Sequence, residues 1–402
     1  MNILVISERL PSRVGGGRSR QFNLIQQLAA SHDFTLVSFL YPGDEREVDE
    51  LRSSLAHLEA IPARLPTLRR HSRLESYWRT WSHAFFDPLP RRGQFAETAS
   101  METAVRRLLA MQRFDLVQVH QTYLMRAVPG NSPPVVLDMQ DILSEHERRY
   151  YQALVRPAQR AAGWIEWRKT QRMERAATKC CAVTTTVSEE DKQKLLSVVP
   201  DIPVIVVPNG VDPGYFSPSD SPSHRPTLVF SGSMNYGPNI DAVVWFYRDI
   251  FPAIRREWSE ASFVVVGYEP SGEVLALGHD TQVQVTGYVE DVRPYLAESA
   301  VVIVPLRHGS GTRLKILEAW AMGKAVVSTR LGAEGLQARD GENILLADTA
   351  EEFARAVLHL SQNPRLADRI GRAGRDFVER RYGWDAIALQ MERAYHAAFH
   401  PI

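Results

Sequence analysis

The chain has 402 residues, 44% of them apolar and 23% charged, enough for two or three domains at roughly 150 residues each. Its 47 basic residues balance 47 acidic ones, so no overall positive field exists to hold nucleic acid. The two cysteines, Cys180 and Cys181, are adjacent, a spacing that disfavours an ordinary bridge and points to a reducing, cytoplasmic compartment.

The chain opens on a short apolar run, Ile3–Ile6, with no basic region before it, so it does not read as a signal peptide. No later apolar stretch approaches the ~18 residues of a spanning helix. Neither His-Glu-x-x-His nor Cys-x-x-Cys occurs, which argues against a zinc enzyme.

In chain order, strands are predicted at Ile3–Ser7, Thr35–Phe39, Leu116–His120, Val135–Asp138, Ala182–Val187 and Val204–Val207. Helix-period segments lie between them, at Ser19–Ala30, Ala96–Met111 and Glu189–Ser197. A cluster of Pro, Gly and Asn around Pro208–Gly210, followed by Pro213, Gly214, Pro218, Pro222 and Pro226, reads as a linker. A second series follows at Leu228–Ser231, Phe263–Gly267, Val283–Thr286, Val301–Val304, Ala325–Ser328 and Ile344–Leu346. Strands alternating with helices predict an α/β protein of two doubly wound parallel sheets, with ligand at the strand C-termini facing one cleft. The last segment, Tyr382 to Phe399, carries Ile387, Leu389, Met391, Ala394, Tyr395 and Ala398 at helical spacing.

Three groups of residues carry chemistry. After the first strand, Gly15, Gly16 and Gly17 precede Arg18 and a helix; glycines let backbone amides approach a ligand, and a helix N-terminus favours negative charge. The alternative is a plain strand-to-helix connection. Asp138 and Asp141 end the fourth predicted strand, where a carboxylate could orient or deprotonate a hydroxyl or simply cap the next helix, in competition with Ser144. His120 ends the strand before it and reads equally as structural or functional. In the third group, His308 to Gly323, Gly309 and Gly311 open the backbone and Thr312 offers a helix cap. Arg313 and Lys315 add fixed positive charge, and Glu318 follows one turn on. Together these suit an anion site for a diphosphate, with a carboxylate for a ribose diol; the alternative is a helix with solvated charges.

The second half resembles glycosyltransferase family four, of the GT-B fold. The likeness rests on Val207–Asp212, on Phe230–Asn239, and on Gly311–Ala319 with its Arg313, Lys315 and Glu318; Val183–Asp191 matches as well. It implies two Rossmann-like domains, 1–208 plus 383–402 and 209–382, with the terminal helix crossing back to the first. It further implies transfer of a sugar from a nucleoside-diphosphate sugar to an acceptor hydroxyl with the anomeric configuration retained, and no metal or other cofactor. Glu318 matches the second Glu of the family's Glu-x(7)-Glu motif; the first falls at Ser310. The family's usual Arg and Lys after the first strand of the second domain are replaced by Ser233 and the Gly237–Pro238 region.

Arg313, Lys315, His120 and Asp141 are assigned as catalytic. Gly16, Gly17, Gly232, Ser233, Met234, Asn239, Ser310, Gly311, Thr312 and Glu318 contact the donor, while Arg18 and Asp138 stand on the acceptor side. The acceptor is a glycan, a lipid-linked sugar or a small molecule. Arg64–Arg92, with seven arginines among Tyr77, Trp78, Trp81, Phe85 and Phe86, reads either as a membrane-surface segment or as a covering helix with solvated arginines. Alternatives to transfer are a nucleotide-sugar epimerase of the same fold and a catalytically silent sugar-nucleotide-binding subunit.

Overall fold

A computed structural model of the chain describes residues 1–13, 16–63, 87–91, 98–218, 226–309 and 311–399. Gly15, Ser310 and nearly all of Arg64–Arg92 lie outside these residues. Two compact units divide the chain: Met1–Pro208 with Ala388–Ile402, and Asn209–Ile387.

The first unit is built on seven strands, β1 (Asn2–Arg9), β2 (Asp33–Leu40), β3 (His57–Pro62), β4 (Leu116–His120), β5 (Val135–Met139), β6 (Val183–Thr186) and β7 (Val204–Val206). All pair in parallel, in the order β3-β2-β1-β4-β5-β6-β7. The central strands β4 and β5 are buried on both faces, so apolar residues dominate them without a strict alternation, and the polar Gln118, His120 and Asp138 within them are buried too. Only β3 escapes the sequence expectation. It is a half-buried edge strand whose residues never form an apolar run.

The second unit repeats the plan with β8 (Thr227–Ser231), β9 (Ser262–Val266), β10 (Val283–Val285), β11 (Val301–Val304), β12 (Val326–Ser328) and β13 (Leu345–Leu346), ordered β10-β9-β8-β11-β12-β13. Its core gathers the strand valines with Phe230, Phe246, Phe263, Trp320 and Phe353. In both sheets the order reverses beside the first strand, between β1 and β4 and between β8 and β11. In doubly wound sheets ligands bind at that reversal, beyond the strand C-termini.

The terminal helix, Trp384–Ala397, begins in the second unit and continues from Ala388 into the first. There Met391, Ala394 and Tyr395 are buried. Leu389, expected on the apolar face, is instead 60% exposed.

Candidate functional site

The predicted site residues collect at the two reversals, one in each unit. In the first, the helix Gly16–Leu28 follows β1, and His120 and Asp138 end β4 and β5. Arg20, Leu24 and Leu28 share one face of that helix and are all buried, so an arginine is driven into the interior with the leucines. Its charge is met there. Arg20 Nε and Nη2 donate to the two Asp138 oxygens at 3.1 and 2.9 Å, and Nη1 donates to the Pro208 carbonyl at 2.6 Å. Thr185 Oγ1 adds a bond to Asp138 Oδ1 at 2.6 Å, and His120 Nδ1 lies 3.1 Å from Oδ2.

Burial alone would push the Asp138 carboxyl up, yet the Arg20 guanidinium and the His120 ring hold it far below the usual carboxylate range. With Nδ1–H given to Asp138, His120 Nε2 accepts from Gln118 Nε2 at 3.1 Å, and Gln118 Oε1 accepts from Tyr395 Oη. Both ring nitrogens and both carboxylate oxygens are therefore occupied. Asp138, expected on the acceptor side, and His120, expected to act on substrate, are 0% and 1% exposed and belong to this buried network.

Around this core, Gln140 Nε2 lies 3.4 Å from the Gly17 carbonyl, and a side chain on Gly17 would displace the Gln140 carboxamide. Arg18 is tied down, with Nε on the Leu10 carbonyl at 2.7 Å and Nη2 near Asp44 and Glu47 at 3.3 and 3.2 Å. Asp141 is half-buried in the turn after β5. Ser144 does not cap the following helix. Its backbone N–H donates to Glu174 Oε1 at 3.1 Å, so a carboxylate from the next helix supplies the cap.

In the second unit, Gly232 follows β8 and Gly267 follows β9. A Cβ on Gly267 would sit 1.7 Å from the Gly232 carbonyl oxygen, so only glycine permits the two chains to approach there. Ser233 Oγ donates to Asn235 Oδ1 at 2.6 Å, and Asn239 Nδ2 donates to the Ser233 carbonyl at 2.8 Å. Met234 is corrected: its side chain is fully buried in the core, and only its backbone takes part, donating to the Tyr268 carbonyl at 3.0 Å.

From the helix Leu314–Ala321 after β11, Lys315 reaches across to this loop. Its ammonium donates to Asn239 Oδ1 at 3.0 Å and lies 3.8 Å from the centre of the Phe230 ring. A Cβ on Gly232 would fall 2.8 Å from Nζ. Burial and the neighbouring Arg313 lower the Lys315 amine to about 7, while burial raises the Glu318 carboxyl to about 7 against the opposing pull of Lys315. Arg313 is itself buried, with Nη1 donating to the Gly311 carbonyl at 2.6 Å. Gly309 and Gly311 adopt φ of 115° and 80°, a left-handed backbone that favours glycine.

Thr312 does not cap the helix; its hydroxyl is buried without a partner among the described residues. The loop is pinned from its other end by Arg307, whose guanidinium pairs with Asp241 at 2.6 and 3.0 Å and stacks over Trp245. Among the described residues no three His, Cys, Asp or Glu side chains gather as metal ligands.

The sequence reading missed Arg20, Gln118, Gln140, Thr185 and Tyr395 in the first unit, and Phe230, Asp241 and Arg307 in the second. Arg20 alone left a local signal, a charged residue on the apolar stripe of its helix.

Two parallel doubly wound sheets in tandem, each with glycine loops at its reversal, define the GT-B class, and solved structures agree. Sucrose-phosphate synthase from Thermosynechococcus elongatus has the same fold, at 17% identity over 99% of each chain and a TM-score of 0.71. HepE from Anabaena, in complex with UDP and glucose, matches at 14% identity over 98% of this chain and 99% of that one, with a TM-score of 0.68. The chain belongs to glycosyltransferase family 4: the model of that description matches residues 14–215, half of the chain, and the model for glycosyl transferases group 1 matches residues 225–363. The lipopolysaccharide core biosynthesis glycosyltransferase LpsE of Rhizobium meliloti is 37% identical over 115 residues, covering 28% of this chain and 33% of that protein. The chain spans about half or less of the length of the curated relatives it matches.

Proposed function

We propose that this chain transfers a sugar from a nucleoside-diphosphate sugar to an acceptor hydroxyl in glycan biosynthesis, with retention and without a metal. The observation that carries the reading is Lys315, which reaches from its helix to the loop after β8, with Arg313 and Glu318 in the same segment. A departing nucleoside diphosphate gains negative charge and must be met by fixed donors. Family members that hold it with basic residues after β8 place those charges where this chain has Ser233 and Pro238. Here Lys315 brings a cation to the same loop from another helix, with Nζ beside Gly232 and Asn239, and Arg313 stands two residues before it. Lys315 serves as a compact point charge and Arg313 as a planar fork for phosphate oxygens. Glu318, one turn further in, accepts from the ribose diol. Gly311 and the Thr312 hydroxyl line the approach, and Ser310 takes the place of the carboxylate that the motif usually carries.

The UDP bound to HepE and the glycan role in the name of LpsE support a nucleotide-sugar donor and a glycan acceptor. A lipid-linked acceptor would bring the basic aromatic segment Arg64–Arg92 against a membrane surface. Purified protein assayed with a panel of nucleotide sugars separates the alternatives: transfer or slow hydrolysis supports this reading, interconversion of donors supports an epimerase, and inertness supports a silent subunit. NMR of the first-formed product tests stereochemistry. An inverted anomeric centre overturns retention.

A further inference from the structure

The helices Leu143–Ala153 and Pro157–Lys179 form a hairpin joined by Leu154, Val155 and Arg156. Its inner seam is closed. A Cβ on Gly163 would lie 2.6 Å from the Tyr151 Cβ, and the Tyr151 and Trp167 rings pack 5.5 Å apart. Three large apolar side chains stand among polar ones on the outside: Val155 at the tip is 92% exposed, and Tyr150 and Trp164 are 58% and 49% exposed. At 1.5 Å per residue those two aromatics sit roughly 5–10 Å back from the tip, one on each helix.

The charge pattern is equally local. In a chain of balanced charge, residues 148–165 hold Arg148, Arg149, Arg156 and Arg160 and no Asp or Glu. Arg148 and Arg149 pair with Glu145 at the base. Arg156 and Arg160, on the exposed tip, have no carboxylate partner among the described residues.

An exposed valine leading, tryptophan and tyrosine behind it, and uncompensated arginines alongside are the chemistry of a segment that enters a headgroup layer. Arginine stems lie along the apolar surface while their heads stay with phosphate. Among the described residues no helix is long and apolar enough to cross a membrane. We infer that the tip of this hairpin, Tyr150 to Trp164, is a docking surface for an anionic lipid bilayer. Val155 enters the headgroup region, Tyr150 and Trp164 sit at its boundary, and Arg156 and Arg160 meet lipid phosphates. The inference is independent of the donor reading, since these residues belong to the first unit and the proposed donor residues to the second.

The test uses the full-length protein and vesicles of phosphatidylcholine with or without phosphatidylglycerol. Sedimentation is expected with the anionic vesicles and to fall as salt rises. Each tip arginine near an anionic surface is worth about five-fold in binding, so R156Q/R160Q together should weaken it about 25-fold. Brominated acyl chains should quench tryptophan fluorescence in the parent protein and much less in W164F. Because these side chains are exposed, unchanged thermal unfolding serves as the folding control, and V155D provides a second, independent variant that should also release the protein. Undiminished binding by both R156Q/R160Q and V155D, or equal quenching in W164F, overturns the proposal. So does a concentration-dependent dimer abolished by V155D without vesicle binding, which would make the tip a contact between copies. Salt-sensitive capture of duplex DNA in place of vesicles would overturn it likewise.

Discussion

Lys315 is the residue on which the donor site can be tested most directly. Its ammonium lies 3.0 Å from Asn239 Oδ1 and 3.8 Å from the Phe230 ring centre, and burial with Arg313 nearby lowers its amine to about 7. A diphosphate arriving beside it favours the charged form. Below pH 7 the amine is already protonated and binding takes up no proton there. Above pH 7 binding must draw a proton from solution, so diphosphate affinity should fall by up to tenfold per pH unit until the bound-state value is reached. Lys315→Met keeps the stem and removes the charge. A charge-assisted bond is worth about 1.5–3 kcal/mol, so the variant should lose roughly ten- to hundredfold in diphosphate affinity at pH 6.5. Its affinity should no longer decline above pH 7. Titration calorimetry with a nucleoside diphosphate and its parent nucleoside, the base chosen from a thermal-shift panel, reads both effects. Equal losses for diphosphate and nucleoside, or an unchanged slope above pH 7 in Lys315→Met, would refute a phosphate-facing cation here.

Glu318→Ala should weaken diphosphate and nucleoside alike, measured in the same titrations, because it addresses the ribose they share. Arg20→Ala strands the fully buried Asp138 carboxylate and should cost about 3–5 kcal/mol by urea denaturation; a loss below 1 kcal/mol would contradict the network. Burial raises the Glu174 carboxyl to about 7 from an ordinary 4.5. Because its folded value is raised, its stabilising share is whole below pH 4.5 and is lost as pH climbs to about 7. Glu174→Gln should therefore gain on the parent across that window, by an amount on the order of 3 kcal/mol, in denaturation curves taken at several pH values. Truncation after Tyr382 removes Met391, Ala394 and Tyr395 from a buried face and should yield insoluble protein; an equally stable product would show that face to be dispensable.

Most strands were legible because buried parallel strands are written largely in apolar and β-branched residues, as in β1, β8, β9 and β11. β3 is an edge element whose pairing with β2 decides its conformation, and pairing partners are not local in sequence. The glycine loops and the Arg313–Glu318 segment were legible for the same local reason, since backbone freedom, charge and helix start fall within ten residues. What escaped is nonlocal. Arg20 and Asp138 stand 118 positions apart, and Tyr395 and Gln118 stand 277 apart, so no spacing rule joins them. Met234 was misjudged because its neighbours face the loop while its own side chain turns into the core, a choice that local sequence does not record.

The buried chain of hydrogen bonds around Asp138 also sets an order of events during synthesis. It needs Arg20, Gln118, His120, Thr185, the Pro208 carbonyl and Tyr395, and the whole of the second unit separates the last of these from the others in sequence. The second unit, Asn209–Ile387, is contiguous and complete before Tyr395. On a nascent chain the downstream unit can therefore finish first, while the upstream one waits, with Arg20 and Asp138 assembled but Gln118 lacking its phenol. A chain cut short of Tyr395 would carry every residue of the second unit beside a first unit whose Gln118 lacks its phenol partner.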